Sequence, residues 1–195
     1  MKTSILLLLP FLFVGCAGNF TSQVTPGTVV PTTERIAVTY LDHANTNVSN
    51  AATAILEGQL ERCKQNNLIK SAEVDSVLRA NKIEIPRRIS EDFVRSLKPY
   101  LNAKYLLTGG VLVWTQGAPG FPMATATDVS ATFSLYDLET GKVVWSVTGQ
   151  EKGGDGIFAE KPEQKAKVVF FQMLRKWKGF CLVGPAPAPS KNSSR

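Results

Sequence analysis

Two neighbouring stretches of this chain alternate apolar and polar residues with a period of two, Thr127 to Asp137 and Lys142 to Gln150. In the first, Val129, Ala131, Phe133 and Leu135 share one side, and Ser130, Thr132, Ser134 and Tyr136 the other. In the second, Val143, Trp145 and Val147 share a side. That period puts both stretches in strands with one buried face. The link Asp137-Leu138-Glu139-Thr140-Gly141-Lys142 is of turn length, and Gly141 suits a position of positive φ, so the pair reads as a β-hairpin. The apolar side of such a hairpin needs a covering layer, which the rest of the chain must supply.

The cover reads as helical. Ser49 to Asn66 carries an apolar stripe of Ala52, Ile55, Leu56, Leu60 and Cys63, with Asn50, Thr53, Glu57, Glu61 and Lys64 turned to water. Ser71 is placed to cap a second helix holding Val74, Val77 and Leu78, with Glu73 in its first turn. Ser90 caps a third, where Ile89 and Val94 occupy the positions of a hydrophobic staple and Phe93, Val94, Leu97 and Leu101 form the buried side before Pro99. A last helix starts at Pro162, buries Ala166, Val169, Phe170, Met173, Leu174 and Trp177, and stops at Gly179. Between helices, Arg35 to Leu41 is apolar on both faces and reads as an interior strand. Leu68-Ile69-Lys70 is a short strand, and Tyr105 to Gln116 a long one whose Gly109-Gly110 pair signals a bend, a bulge or a close backbone approach. The order β-α-β-α-α-β-β-β-α predicts an α/β fold: a single three-layer-like domain on a mixed sheet that ends in a three-strand meander.

The start of the chain sets its compartment. Lys2, the apolar run Ile5 to Val14 and the small residue Gly15 have the layout of a secretory leader. The run is broken by Pro10 and falls well short of the roughly 20 apolar residues that span a bilayer. Phe13-Val14-Gly15-Cys16 resembles the lipobox of bacterial lipoproteins, with Phe13 where Leu is usual. That resemblance implies cleavage before Cys16, acylation of its sulfur and its new amino group, and a membrane anchor. Ala17 in place of Asp implies, by similarity to enterobacterial sorting, the outer membrane. An ordinary secretory leader cut elsewhere is the alternative. The chain then divides into a signal peptide over 1–15, a Thr-, Ser-, Pro- and Gly-rich flexible tether over 16–33, a domain over 34–183 and a disordered Pro/Ala and polar tail over 184–195. The tether would hold the domain roughly 20–25 Å from the membrane.

Loss of the leader removes Lys2 and leaves 21 basic against 16 acidic side chains, formally +5. For an exported chain this points away from nucleic acid and toward anionic headgroups or cell-wall polymers such as peptidoglycan, or toward simple solubility. Lipidation of Cys16 leaves an even pair, Cys63 and Cys181, and an oxidising compartment invites their disulfide. Such a bridge requires the first and last helices to pack side by side; a buried thiol at Cys63 is the alternative.

Three stretches, in this order, resemble one lipoprotein superfamily that holds the curli-secretion lipoproteins, the outer-membrane activators of penicillin-binding proteins and the amino-terminal domain of TolB. Arg35 to Leu41 is similar to its "IAV" strand, Leu101 to Val111 to its "LGADYLLTGTV" passage, and Phe133 to Ser146 to its "LVDVKTGEVLWS" hairpin. The Asp137, Thr140-Gly141 and Trp145 spacing also marks quinoprotein-type propellers, but those repeat it several times and here it occurs once. The resemblance implies a binding or regulatory module of an envelope assembly (cell-wall synthase activation, secretion or polysaccharide assembly), with an envelope protein as partner. A subunit of a curli-type secretion pore is the alternative.

Catalytic signals are sparse. His43, after Asp42 at the end of the first interior strand, is the lone histidine, and no nucleophile motif accompanies it. It reads as an exposed loop residue. There is no phosphate loop; Gly153-Gly154-Asp155-Gly156 lacks the Lys-Ser/Thr that would make one. Trp114 and the loop Gly117 to Met123 could offer apolar groups to a partner or form a packed turn. The expectation is a non-enzymatic protein with no cofactor and no metal.

Overall fold

The computed structural model describes residues 19–24, 34–63, 67–86, 88–116, 127–153 and 160–177. Its strands are β1 (Asn19–Val24), β2 (Ile36–Val38), β3 (Leu68–Ile69), β4 (Tyr105–Thr115), β5 (Thr127–Asp137) and β6 (Val143–Gly153). Its helices are α1 (Thr46–Arg62), α2 (Ser71–Ala80), α3 (Glu91–Leu97) and α4 (Pro162–Leu174). The strands form one mixed sheet in the order β1-β6-β5-β4-β2-β3. β2 runs parallel to β3 and to β4, while β4, β5 and β6 form the antiparallel meander. The α/β fold class, the element order from β2 onward and the hairpin all agree with the sequence reading.

The sheet has two unequal faces. On one, α1 and α4 pack against each other and against the apolar sides of β4, β5 and β6, burying Leu56, Leu107, Phe133, Trp145 and Phe170. Phe133 and Phe170 meet edge to face with centroids 5.0 Å apart, and Trp145 stacks on Trp177 at 5.2 Å. Each such pair contributes about 0.5–1.5 kcal/mol beyond the area it buries. On the other face, α2 and α3 form a smaller core with Ala37, Ile69, Leu106 and Leu138. The sheet is therefore the middle of three layers, and among the described residues the third layer covers it only in part.

The local signals mostly act as their chemistry dictates. Ser90 Oγ accepts from Phe93 N at 3.2 Å and caps α3. Gly141 has φ of +75°, and Asp137 Oδ1 accepts from the N–H groups of Glu139 and Thr140, closing the hairpin. A Cβ on Gly141 would overlap the backbone of Glu91, so the hairpin tip and the start of α3 pack without room for a side chain. Gly109 is the close approach its neighbourhood predicts: a Cβ there would overlap Thr132 O and the Phe133 ring.

Five expectations need correction. Asn19–Val24, assigned to the flexible tether, forms the edge strand β1, antiparallel to β6. β6 presents a long unpaired row of backbone groups, and the Phe, Thr and Val of this segment favour extended backbone. In β6, a register shift between Leu135 and Tyr136 pairs Tyr136 with Val143 and skips Val144, so Val144 is buried and Val143 exposed. The first helix starts at Thr46 under an Asn45 cap, three residues earlier than Ser49. Thr53, read as facing water, is 1% exposed. Ser71 does not cap α2 with its side chain; its N–H donates to Glu57 Oε1 of α1 at 2.7 Å, so a carboxylate read as solvent-facing caps α2 from outside. Lys165 of α4 is also buried, with Glu151 of β6 at 3.8 Å. Cys16, the leader, Cys181 and the 184–195 tail lie outside the described residues.

Replacing Gly109 by Ala forces β4 away from β5, because the obstacle is backbone oxygen. Urea unfolding of G109A is expected to show a loss of about 1–3 kcal/mol, whereas Gly58→Ala, whose Cβ meets nothing within 4 Å, should be neutral or stabilising.

Candidate functional site on the open face of the sheet

Successive side chains of a strand point to opposite faces, so the residues between the core positions of β2, β4 and β5 lie on the half-covered face. Beyond Ala37 this face carries Thr39; beyond Leu106 it carries Thr108 and Gly110; opposite them in β5 stand Tyr136, Ser134 and Thr132. These residues line a cavity of about 490 Å³, bounded on its other side by Ile85, Pro86 and Ile89 from the α2–α3 connection. A second cavity of about 380 Å³ adjoins it under α2, and the two share Thr39, Tyr40 and Ile85 as lining.

The wall formed by residues 39–43 is held by backbone bonds. Thr39 N donates to Leu107 O at 3.0 Å and Asp42 N to Gly109 O at 2.9 Å, while Val111 N returns a bond to Asp42 O at 2.9 Å. Asp42 thus continues the parallel pairing of β2 onto Gly110. Leu41 is fixed from behind: its N–H donates to Thr53 Oγ1 at 2.9 Å and its carbonyl accepts from Ser49 Oγ at 2.6 Å. Thr53 Oγ1 in turn donates to Ser49 O at 2.7 Å. The two buried α1 hydroxyls serve to fasten this wall.

His43 is part of the cavity lining, as is Asp42. Its Nδ1 stands 3.0 Å from Asn45 N and 3.3 Å from Asn45 O, so the ring is engaged by the backbone of the turn before α1. No hydrogen bond ties the ring to a hydroxyl or carboxylate among the described residues, so a linked nucleophile–base pair is not assembled here. Among the described residues no group of three His, Cys, Asp or Glu could hold a metal ion. Burial pushes the Tyr136 phenol upward from its ordinary value, with a hydrogen bond to Ser134 acting the other way. The phenol stays protonated, a neutral donor, through the physiological range.

Of the residues singled out by sequence, Cys63 sits at the end of α1, 9% exposed and within the larger core, and makes a contact beyond its backbone bonds. α1 and α4 pack side by side, the geometry a bridge to Cys181 requires. Trp114 packs against the core, and the loop after Gln116 lies outside the described residues. The cleft itself was not marked by any motif. Its signal in the sequence is the polar side of β5, read as solvent-facing, together with Thr39 and Thr108 in otherwise apolar strands.

No family model matches the chain and no curated protein sequence matches it. Solved structures do. The PelC dodecamer from Paraburkholderia phytofirmans superposes with a TM-score of 0.56 at 19% identity, covering 81% of this chain and 96% of that one. Lipoprotein GNA1162 from Neisseria meningitidis (TM-score 0.45, 16% identity, 62% and 81% covered) and the LpoB C-terminal domain from Salmonella enterica (0.43, 13%, 66% and 87%) superpose less closely. At these identities the likeness to PelC is one of fold.

The fastening of Leu41 predicts that Thr53→Val, close in shape but without the hydroxyl, strands a buried N–H. The expected loss is about 1–3 kcal/mol in urea unfolding, accompanied by faster amide exchange at Leu41 and Asp42.

Proposed function

We propose that this chain is a bacterial outer-membrane lipoprotein, anchored through acyl chains on Cys16, whose periplasmic domain is a non-enzymatic binding module of an envelope assembly. The observation that carries this reading is the cleft on the open sheet face, walled by fastened backbone and lined by hydroxyl, tyrosine and carboxylate groups suited to recognition. The leader and its Cys16 supply the compartment. A fold like that of PelC supports the module reading, and the superfamily resemblance narrows the assembly to cell-wall synthase activation, secretion or polysaccharide assembly. Its partners are then the membrane, an envelope protein and peptidoglycan, and not nucleic acid. Among the described residues no helix is long and apolar enough to cross a membrane.

A subunit of a curli-type secretion pore is the second reading, and one observation favours it: PelC, superposed over most of both chains, was solved as a dodecamer. Against it stands the commitment of β4, β5 and β6, each of 11 residues, to the six-stranded sheet. A ring-sized native mass in detergent would favour the pore.

Two results test the reading. Metabolic palmitate labelling is expected to mark the wild type and not Cys16→Ala, and the variant should leave the membrane fraction; equal labelling and fractionation would overturn the anchor. We also propose that Cys63 pairs with Cys181. Alkylation of the unfolded protein should then modify both only after reduction, and reduction should cost roughly 2–4 kcal/mol of stability.

A further inference from the structure

Two hydroxyls in the cleft stand on largely buried residues and are not used by the domain itself. Thr39 is 3% and Thr108 6% exposed, both line the larger cavity, and neither side chain has a hydrogen-bond partner among the described residues. Other buried hydroxyls nearby are fully employed: Ser49 and Thr53 bond to the chain at 2.6–2.9 Å. Neither oxygen is among the polar atoms sealed off without a partner, which lie at Gln59, Trp145 and Glu151, so both hydroxyls open onto the cavity and are available to what enters it. From Thr39 the face continues through Thr108, Ser134 and Ser146, neighbours on successive strands. Hydroxyls thus recur across the sheet at the strand spacing of about 4.7–4.9 Å.

The remaining lining limits what can complete them. An extended peptide would bind by adding to a free strand edge. Here the N–H groups of Thr39, Leu41 and Asp42 and the Asp42 carbonyl are already bonded within the domain. The ligand must be met by side chains. Those available are hydroxyls, the His43 imidazole, the Tyr40 and Tyr136 rings, the apolar side chains of Ile85, Pro86 and Ile89, and the carboxylates of Asp42 and, in the adjoining cavity, Glu84. Asp75 and Arg79 of that cavity pair with each other at 2.9 Å. Hydroxyls with carboxylate acceptors and aromatic faces suit a ligand that is itself rich in hydroxyls and apolar C–H faces, and the free carboxylates repel an anion. Each cavity lies in the range of about 300–1,000 Å³ that holds a small ligand. Tyr40 and Ile85, 40% and 41% exposed, stand on the shared wall, so a chain crossing from one to the other would pass over them.

We propose that the two cavities form one cleft for an uncharged oligosaccharide, with Thr39 and Thr108 bonding its hydroxyls and Tyr40 packing against a ring at the crossing. This deepens the binding-module reading and rests on it. The class covers glucose-type and N-acetylglucosamine-type chains, which offer the same hydroxyl chemistry.

Calorimetric titration of the full-length protein in detergent tests this. The probes are the tetrasaccharides of glucose and of N-acetylglucosamine, a tetramer of galacturonate and an unstructured neutral heptapeptide. At least one neutral tetrasaccharide is expected to bind saturably, with galacturonate at least about tenfold weaker. Thr39→Val/Thr108→Val removes only unbonded hydroxyls. It should unfold at the same or a higher urea concentration and bind about tenfold or more weakly; Tyr40→Ala should weaken binding as well. No binding of either neutral tetrasaccharide, equal binding of galacturonate, unchanged affinity in the folded double variant, or binding of the peptide alone would overturn the proposal. Palmitate labelling of Cys16 is independent of these titrations, so a labelled, membrane-bound protein that ignores all sugars refutes this inference and leaves the anchor standing.

Discussion

The parallel pairing of β2 with β4 is the constraint on which the open face depends. It seats Ile36 and Val38 in the larger core and Ala37 in the smaller one, so the strand is gripped from both sides and its register is fixed. A slip of one residue would bury Thr39 among the aromatics and expose Val38. The same pairing runs on through Asp42 to Gly110, beyond the reach of α2 and α3. Where the helices stop and the pairing does not, a walled cleft remains.

Glycine makes that continuation fit. The absent side chain of Gly109 lets Leu41 and Phe133 close over β4 from the core side, and a Cβ on Gly110 would stand 3.3 Å from Asp42 O on the cleft side. Consecutive glycines serve opposite faces of one strand, the first for packing and the second for space. Ser49 and Thr53 then hold Leu41 from α1 through two hydrogen bonds, and a third, from Thr53 Oγ1 to Ser49 O, ties the Thr53 side chain to its own helix. Burial of apolar surface sets the layers, and a few buried hydroxyls decide where the wall stands.

Most of the fold was legible in the sequence because its elements announce themselves locally. Period-two alternation located β5 to the residue, Pro162 opened α4, and Ser90 with its first-turn acids opened α3. What was not legible depends on contacts far apart in the chain. β1 exists because β6 offers an edge, the exposure of Val143 follows from a register shift, and the cap of α2 comes from Glu57 on another helix. The site was hidden for a related reason. Thr39 and Thr108 look like ordinary β-branched strand residues, and the polar side of β5 looks like a solvent face. Only the tertiary arrangement shows that this side forms the floor of a cleft. His43 was singled out and does line it, but its Nδ1 serves the turn before α1.

The central claim is that the half-covered sheet face is a surface for recognition. Its most direct test is a residue-resolved NMR map of the protein as a neutral tetrasaccharide is added. The account predicts shifts in the amides of Thr108, Gly110 and Thr132 and in the Tyr40 ring, with α1, α4 and the core between them unmoved. Shifts confined to the α1–α4 side, or a spectrum that does not change at saturating sugar, would contradict it.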